Sequence, residues 1–296
     1  MPHEETAISK TLIASILVVS STLVVDPAPA SDPPPAESSL EFLRRAEIKF
    51  QPLNPARGDA SPKAGVLWGD LGEDVPTGAL IEFAEGFSSP PHIHNITYRA
   101  VVISGSVHND DPDAEHLWMG PGSFWTQPAG ETHITAAKEG SKATAFLEIL
   151  EGPYLVRPSD RAFDNGERPV NLDARNIVWL DASDTTWIRR SSAAKGDGPR
   201  FAFLWGRLQP GHRNGTFLKL AGGSSGTLRV GDPWLRAVVI EGRVHYRPSS
   251  DSDPEELVPG SYLGSKDREP LRIACSGAEE CLLYVGTEGR YVFLED

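Results

Sequence analysis
Three histidines carry the spacing best suited to chemistry. His92 and His94 flank a single isoleucine, and His133 follows the turn sequence Pro128-Ala129-Gly130. Residues two apart on a strand point to the same face, so His92 and His94 can aim two imidazoles at one point, and a neighbouring strand can bring His133 to it. Three neutral imidazoles bind one divalent transition metal (Zn, Fe, Mn, Ni or Cu) and leave positions open for water, oxygen or a substrate. An open position separates a reactive metal site from a structural one. Taken singly, each of the 8 histidines in the chain reads as an ordinary core or surface residue; the joint spacing of these three sets them apart.

Holding three such residues together needs short strands, and the chain supplies them. Apolar runs at Gly78 to Ala84, Tyr98 to Ile103 and Ala143 to Leu150 are brief and bounded by Gly, Pro, Asn or Asp, the pattern of a barrel or sandwich. Helical periodicity is confined to Glu37 to Ala46, where Leu40, Leu43 and Ala46 recur at three-residue intervals and predict one short helix. The chain also repeats itself. Arg99 to His108 recurs as Arg236 to His245, Leu67-Trp68-Gly69 as Leu204-Trp205-Gly206, Gly78 as Gly215 and Glu151-Gly152 as Glu288-Gly289, all at one offset of 137 residues, while Pro121-Gly122-Ser123 recurs one residue later as Pro259-Gly260-Ser261. Two copies of one fold follow, over 46–170 and 171–296, after a Pro-rich linker at 31–45. Aromatic residues Trp118, Phe124 and Trp125 lie on the approach to His133; Trp125 and Gln127 share one strand face, Phe124 and Thr126 the other, and one of these pairs lines a pocket.

The stretch Gly86, His92, His94, Gly105 and the stretch Gly122, Pro128, Gly130, His133 resemble, in order and spacing, the two signature motifs of the cupin superfamily. The resemblance implies an all-β chain of two tandem cupin barrels, double-stranded β-helices of jelly-roll type. It covers both copies as a fold and only the first copy in its metal motifs. Within the superfamily the chain is similar to bicupins of unknown function and to the ChrR-like cupin of zinc-dependent anti-sigma factors. Two positions depart from the pattern: Tyr98 stands where a glutamate ligand is usual, and Ala137 where asparagine is common. An all-histidine set resembles the iron sites of thiol dioxygenases and of the diketone-cleaving dioxygenase. That likeness implies a metal-dependent oxygenase acting on a small organic acid or diketone-like molecule, with Tyr98 or Gln127 as catalytic residues that orient it. Tyr98 has three readings: a hydrogen-bond donor to the bound molecule, a ligand, or a filler of the barrel. Glu131 reads as a substitute carboxylate or as a solvated turn residue. Two other functions stay open, a non-catalytic module that binds or senses a metal or small ligand, and a barrel whose metal only ties strands together.

The second copy places Arg229, Gly231 and Leu235 opposite His92, His94 and Tyr98, and no histidine follows Gly260. It is expected to be a degenerate barrel without metal, kept for packing, for dimerisation or to shape the mouth of the first; a homodimer is compatible with that role. His108-Asn-Asp-Asp-Pro-Asp113 reads as a solvated hairpin connection. The net charge of −13 argues against a nucleic-acid partner. Lys10, the apolar run Thr11 to Val25 and Ala28-Pro29-Ala30 form a signal-peptide pattern over 1–30, too short for a membrane span, which predicts a periplasmic or secreted protein with no membrane attachment after cleavage. Glu4 and Glu5 depart from the positive start of such signals, leaving an uncleaved anchor or a different start open. Cys275 and Cys281 sit at hairpin-like spacing, either as a disulfide of an exported protein or as two thiols.

Overall fold
Short apolar runs become antiparallel strands throughout the computed structural model, which describes residues 39–191, 197–231, 234–248 and 252–296. The signal-peptide pattern at 1–30 lies outside the described residues. Strands of the first copy, with Val170–Leu172 added at one edge, form a seven-stranded sheet in the order Val170–Leu172, Phe124–Gln127, Tyr98–Ser104, Ala143–Ile149, Thr77–Phe83, Lys63–Trp68, Gln51–Pro52. The facing wall consists of two strand pairs, His92–His94 with Val156–Pro158 and Val107–Asp110 with Ile134–Ala137, joined by bridges from Ser88 to Ala136 and from His92 to His133. The strands of the second copy lie in two six-stranded sheets, one of which takes Leu40–Leu43 at its edge. This is the all-β, double-barrel cupin architecture that the motifs implied.

The seven-stranded sheet and the six-stranded sheet that contains Trp234–Glu241 and Cys281–Glu288 are buried on both faces, which explains why their central strands are apolar almost without interruption. In Tyr98–Ser104, Tyr98, Ala100 and Val102 point into the first barrel, whereas Val101 and Ile103 point to the second copy. Leu235, Ala237 and Val239 likewise fill the second barrel, and Val238 and Ile240 face the first copy. A core shared by the two copies is therefore built from the residues of opposite parity.

The repeated residues found in the sequence are the ones that join the copies. The Arg99 guanidinium lies 4.1 Å from the ring centre of Trp205, and that of Arg236 lies 5.0 Å from Trp68, so each copy's arginine covers the other's tryptophan. Such pairs contribute about 0.5 to 2 kcal/mol each. The paired glycines leave room for the rings: a Cβ on Gly78 would sit 2.3 Å from Trp68, and one on Gly215 would sit 2.0 Å from Trp205.

The segments preceding the two copies are also exchanged. Leu40–Leu43 pairs with Tyr262–Lys266 of the second copy, and Val170–Leu172 pairs with Phe124–Gln127 of the first. After each of them the chain bends through a short 3-10 turn and donates a backbone N–H to the serine of a Pro-Gly-Ser repeat: Arg45 to Ser261 Oγ and Ala174 to Ser123 Oγ, both at 3.0 Å. The helix expected over Glu37 to Ala46 is thus a strand, Leu40–Leu43, followed by the turn Arg45–Glu47. Pairing with a sheet edge far along the chain overrides the local three-residue periodicity. Of the two cysteine readings, the structure has the disulfide, Cys275 to Cys281 with Cα atoms 5.7 Å apart.

Candidate metal centre
The backbone puts the histidines in register. His92 and His133 exchange both backbone hydrogen bonds, each N–H donating to the other's carbonyl at 3.0 Å, so their side chains project side by side from one face. His94, two residues along, shares that face, and its carbonyl accepts the Gly130 N–H at 2.8 Å. Gly130 has φ of +79° and packs so closely that a Cβ there would meet the Phe163 carbonyl at 2.3 Å, so the turn before His133 requires glycine. Isoleucine at position 93 takes the opposite side and is fully buried.

One ring nitrogen from each of His92, His94 and His133 lies within 4.8 Å of the other two. The His92 Nδ1–H donates to the Pro90 carbonyl at 2.9 Å, and the His133 Nδ1–H donates to the Glu131 carbonyl at 3.1 Å. A carbonyl only accepts, so both rings carry their proton on Nδ1 and keep a lone pair on Nε2. Burial lowers the pKa of all three: His92 by burial, His94 well below its usual value by burial and then by its two neighbours, and His133 to about 3 by burial and then by His92. Near neutral pH the cluster consists of three unprotonated imidazoles, the donor set that an N-ligating transition ion requires. The residues therefore fit such an ion.

Tyr98, the residue at the usual glutamate position, is 2% exposed. Its hydroxyl donates to Asn109 Oδ1 at 2.9 Å and stands 3.4 Å from His133 Nε2. Burial pushes this phenol up to about 12, so it stays protonated. Thr135 Oγ1 donates to the same Asn109 oxygen at 2.7 Å, and Asn109 Nδ2 donates to Gln127 Oε1 at 2.8 Å. Gln127 Nε2 in turn donates at 3.1 Å to the Glu131 carbonyl that also holds His133. A closed circuit of Tyr98, Asn109, Gln127 and Glu131 thus fixes both sides of the His133 ring. Tyr154 completes the surroundings, stacked on His94 with ring centres 4.3 Å apart and its hydroxyl 3.2 Å from His94 Nε2.

A cavity of about 380 Å³ opens over this cluster inside the first barrel. His92, His94, Tyr98, Trp125, Thr135 and Tyr154 are among its walls. Of the two strand faces that alternation left open, the one bearing Trp125 and Gln127 is internal. Phe124 faces the core shared with the second copy. Gln127 is 1% exposed and sits behind Asn109, off the cavity wall. Glu131 contributes its carbonyl to the circuit, and its carboxylate is not among the ligating atoms.

Asn109, Thr135 and Tyr154 were not anticipated. The solvated turn expected over His108 to Asp113 begins instead as the strand Val107–Asp110, in which His108 and Asn109 are buried. The acid-rich sequence hid that strand; alternation from the buried Val107 would have placed Asn109 inward. Tyr154 has no local signal, because it reaches His94 across 60 residues. His108 and Trp118 pack with His116 and take no part in the cluster. Among the described residues, the grouping of metal-ligating side chains falls in the first copy alone. The second barrel is filled by Trp187, Phe201, Tyr246, Tyr291 and Phe293; Leu235 is buried there and Arg229 is exposed.

Comparison with solved structures places the chain among cupin folds. A Nostoc punctiforme protein provisionally described as a dioxygenase matches with a TM-score of 0.62 at 13% identity, over 86% of this chain and 83% of that one. Momordica charantia 7S globulin matches at 0.52 and 12%, over 85% of each chain. A variant of Bacillus subtilis oxalate decarboxylase matches at 0.50 and 12%, over 84% of this chain and 77% of that one. At such identities the likeness establishes the fold alone. No curated protein matches the sequence. The family profile named DUF4437, a domain of unknown function, matches residues 41–294, which takes in both barrels and the exchanged strand before the first, and the chain belongs to that family.

Proposed function
We propose that the first barrel is the active unit of a metal-dependent oxygenase acting on a small organic acid or diketone-like molecule held in the cavity. One observation carries this reading: three unprotonated imidazoles cluster at a cavity whose wall is formed in part by His92 and His94, and the polar side chains packed around them, Tyr98, Thr135 and Tyr154, stay neutral near neutral pH. Tyr98 and Tyr154 are both held protonated by burial, and Asn109, Gln127 and Thr135 do not titrate. Reactions that need a protein general base at neutral pH are poorly served by such a set. His92, His94 and His133 would hold the ion, which when bound supplies Lewis acidity and, if it is iron or copper, electron exchange with dioxygen. All-nitrogen ligation favours zinc, iron, nickel or copper over manganese. Tyr98 lines the cavity with its hydroxyl beside His133, so it is placed to orient a bound molecule by exchanging its bond to Asn109 for one to that molecule. Gln127 acts as a positioning residue, through Asn109 and the Glu131 carbonyl.

Oxygen uptake by protein reconstituted with ferrous iron or copper, assayed with diketones and thiol acids, tests this reading. Turnover that requires the metal supports it. A tightly held zinc ion with no turnover on any of them would favour the second reading, a non-catalytic module that binds or senses a small ligand. That reading is favoured by the same absence of a titrating base, since a binding site needs none. The disulfide supports an oxidising compartment, in keeping with the signal-peptide pattern, and we place the protein in the periplasm or outside the cell.

A further inference from the structure
The cavity over the metal centre is apolar along much of its wall, where Phe83, Phe87, Trp125 and Leu147 face it. Arg57 is the sole charged side chain among its lining residues. It is exposed, which puts it at the mouth, and among the described residues no carboxylate forms an ion pair with it. The loop that bears it is tightly framed. Arg57 N–H donates to the Asn54 carbonyl and Ala56 N–H to Asn54 Oδ1, both at 3.0 Å, while Asn54 N–H donates to Ser61 Oγ at 2.9 Å. The hydrogen bonds fix the loop's backbone rather than the guanidinium, and in a chain of net charge −13 a guanidinium beside an apolar cavity is a local attractor for an anionic ligand.

We propose that the cavity takes an amphipathic monocarboxylate, an aromatic or branched aliphatic acid, with its carboxylate on Arg57 and its apolar body between Phe83, Phe87 and Trp125. The proposal rests on the reading of this cavity as the substrate site of the metal centre, and it narrows the substrate class. A guanidinium pairs with a carboxylate through two parallel hydrogen bonds that a neutral amide cannot match. A second carboxylate would find a partner only at the metal, and anywhere else along the apolar wall it would lie unpaired, so the body of the molecule beyond the Arg57-bound carboxylate is apolar. The volume of about 380 Å³ suits a ring-sized body.

Calorimetric titration of the full, metal-loaded protein with phenylpropanoate, phenylpropanamide and succinate tests it, repeated in Arg57→Gln and His92→Ala, with metal content measured on each sample. Phenylpropanoate is expected to bind at least about tenfold more tightly than the amide, and both more tightly than succinate. Arg57→Gln should abolish the preference for the carboxylate while the affinity for the amide and the metal content stay unchanged. His92→Ala should lose metal and keep the preference, because Arg57 holds the anion. Equal affinity for acid and amide, tightest binding of succinate, or no binding of either phenyl compound overturns the proposal. So does a preference that survives Arg57→Gln and disappears in His92→Ala, which would put the anion on the metal and leave the metal reading intact. A wild-type protein without metal that still prefers the carboxylate through Arg57 would overturn the oxygenase reading and uphold this one.

Discussion

Replacing Asn109 by leucine, close in shape and without polar atoms, should be among the most damaging single changes at the site. Asn109 is 2% exposed, accepts from Tyr98 and Thr135, and donates to Gln127. Each of three hydrogen bonds contributes about 1 kcal/mol net, and a buried partner left unpaired costs about 1 to 3 kcal/mol. Gln127 keeps its bond to the Glu131 carbonyl and Tyr98 retains a longer approach to His133, so part of the loss is softened. The expected destabilisation is about 3 kcal/mol, which for a unit of this size lowers the thermal midpoint by at least about 5 °C. Differential scanning calorimetry of wild type, Asn109→Leu, Tyr98→Phe and the double variant reads it out. In the double variant Tyr98→Phe removes a hydroxyl that has already lost its Asn109 acceptor, so the two changes should couple by about 1 kcal/mol or more. An unchanged midpoint in Asn109→Leu, or strict additivity of the pair, would refute the hydrogen-bond circuit.

Tyr98→Phe should lower metal-dependent turnover at least about tenfold while the bound metal stays constant; full turnover in that variant removes Tyr98 from the chemistry. Gly215→Ala drives a methyl group into Trp205 and should cost about 1 to 3 kcal/mol by unstacking the ring from Arg99, read as a lower midpoint in chemical denaturation. Glu148, buried between the copies, accepts from the Tyr284 hydroxyl, and burial pushes its carboxyl above the usual range against the pull of Tyr284, Arg99, Arg236 and Arg213. A raised folded-state pKa means that the folded protein holds this proton more tightly than the unfolded chain. The contribution is therefore complete below the unfolded pKa and is lost as pH rises through the folded one. Glu148→Gln keeps the acceptor without the titration, so the midpoint of wild type relative to this variant should fall as pH rises through that window; a flat or rising difference contradicts the assignment.

Much of the site was legible because its logic is local. His92 and His94 declare a shared face by alternation, and His133 announces its turn through Pro128 and Gly130. The repeat exposed Arg99, Trp68, Gly78 and Ser123 with their counterparts, and the fold shows why these recur: they form the joint between the copies, where each copy supplies half of a matched contact. What escaped depends on distant partners. Leu40–Leu43 is a strand because an edge of the second copy receives it, and no pattern within those residues says so. Asn109 lies in an acid-rich run that reads as a turn, yet three polar partners from three strands make it a core residue. Arg57 sits in an exposed loop whose sequence carries no site motif, and only the fold brings it to the cavity, where it is the one charged lining side chain.

The metal content of protein purified without tag or chelator, measured by elemental mass spectrometry beside His92→Ala and His133→Ala, tests the central claim most directly. About one equivalent of a transition metal per chain in the wild type is expected, lost in both variants while their circular dichroism remains that of a folded β protein. A wild type that takes up no metal even on reconstitution, or variants that keep it in full, would contradict the three-histidine centre.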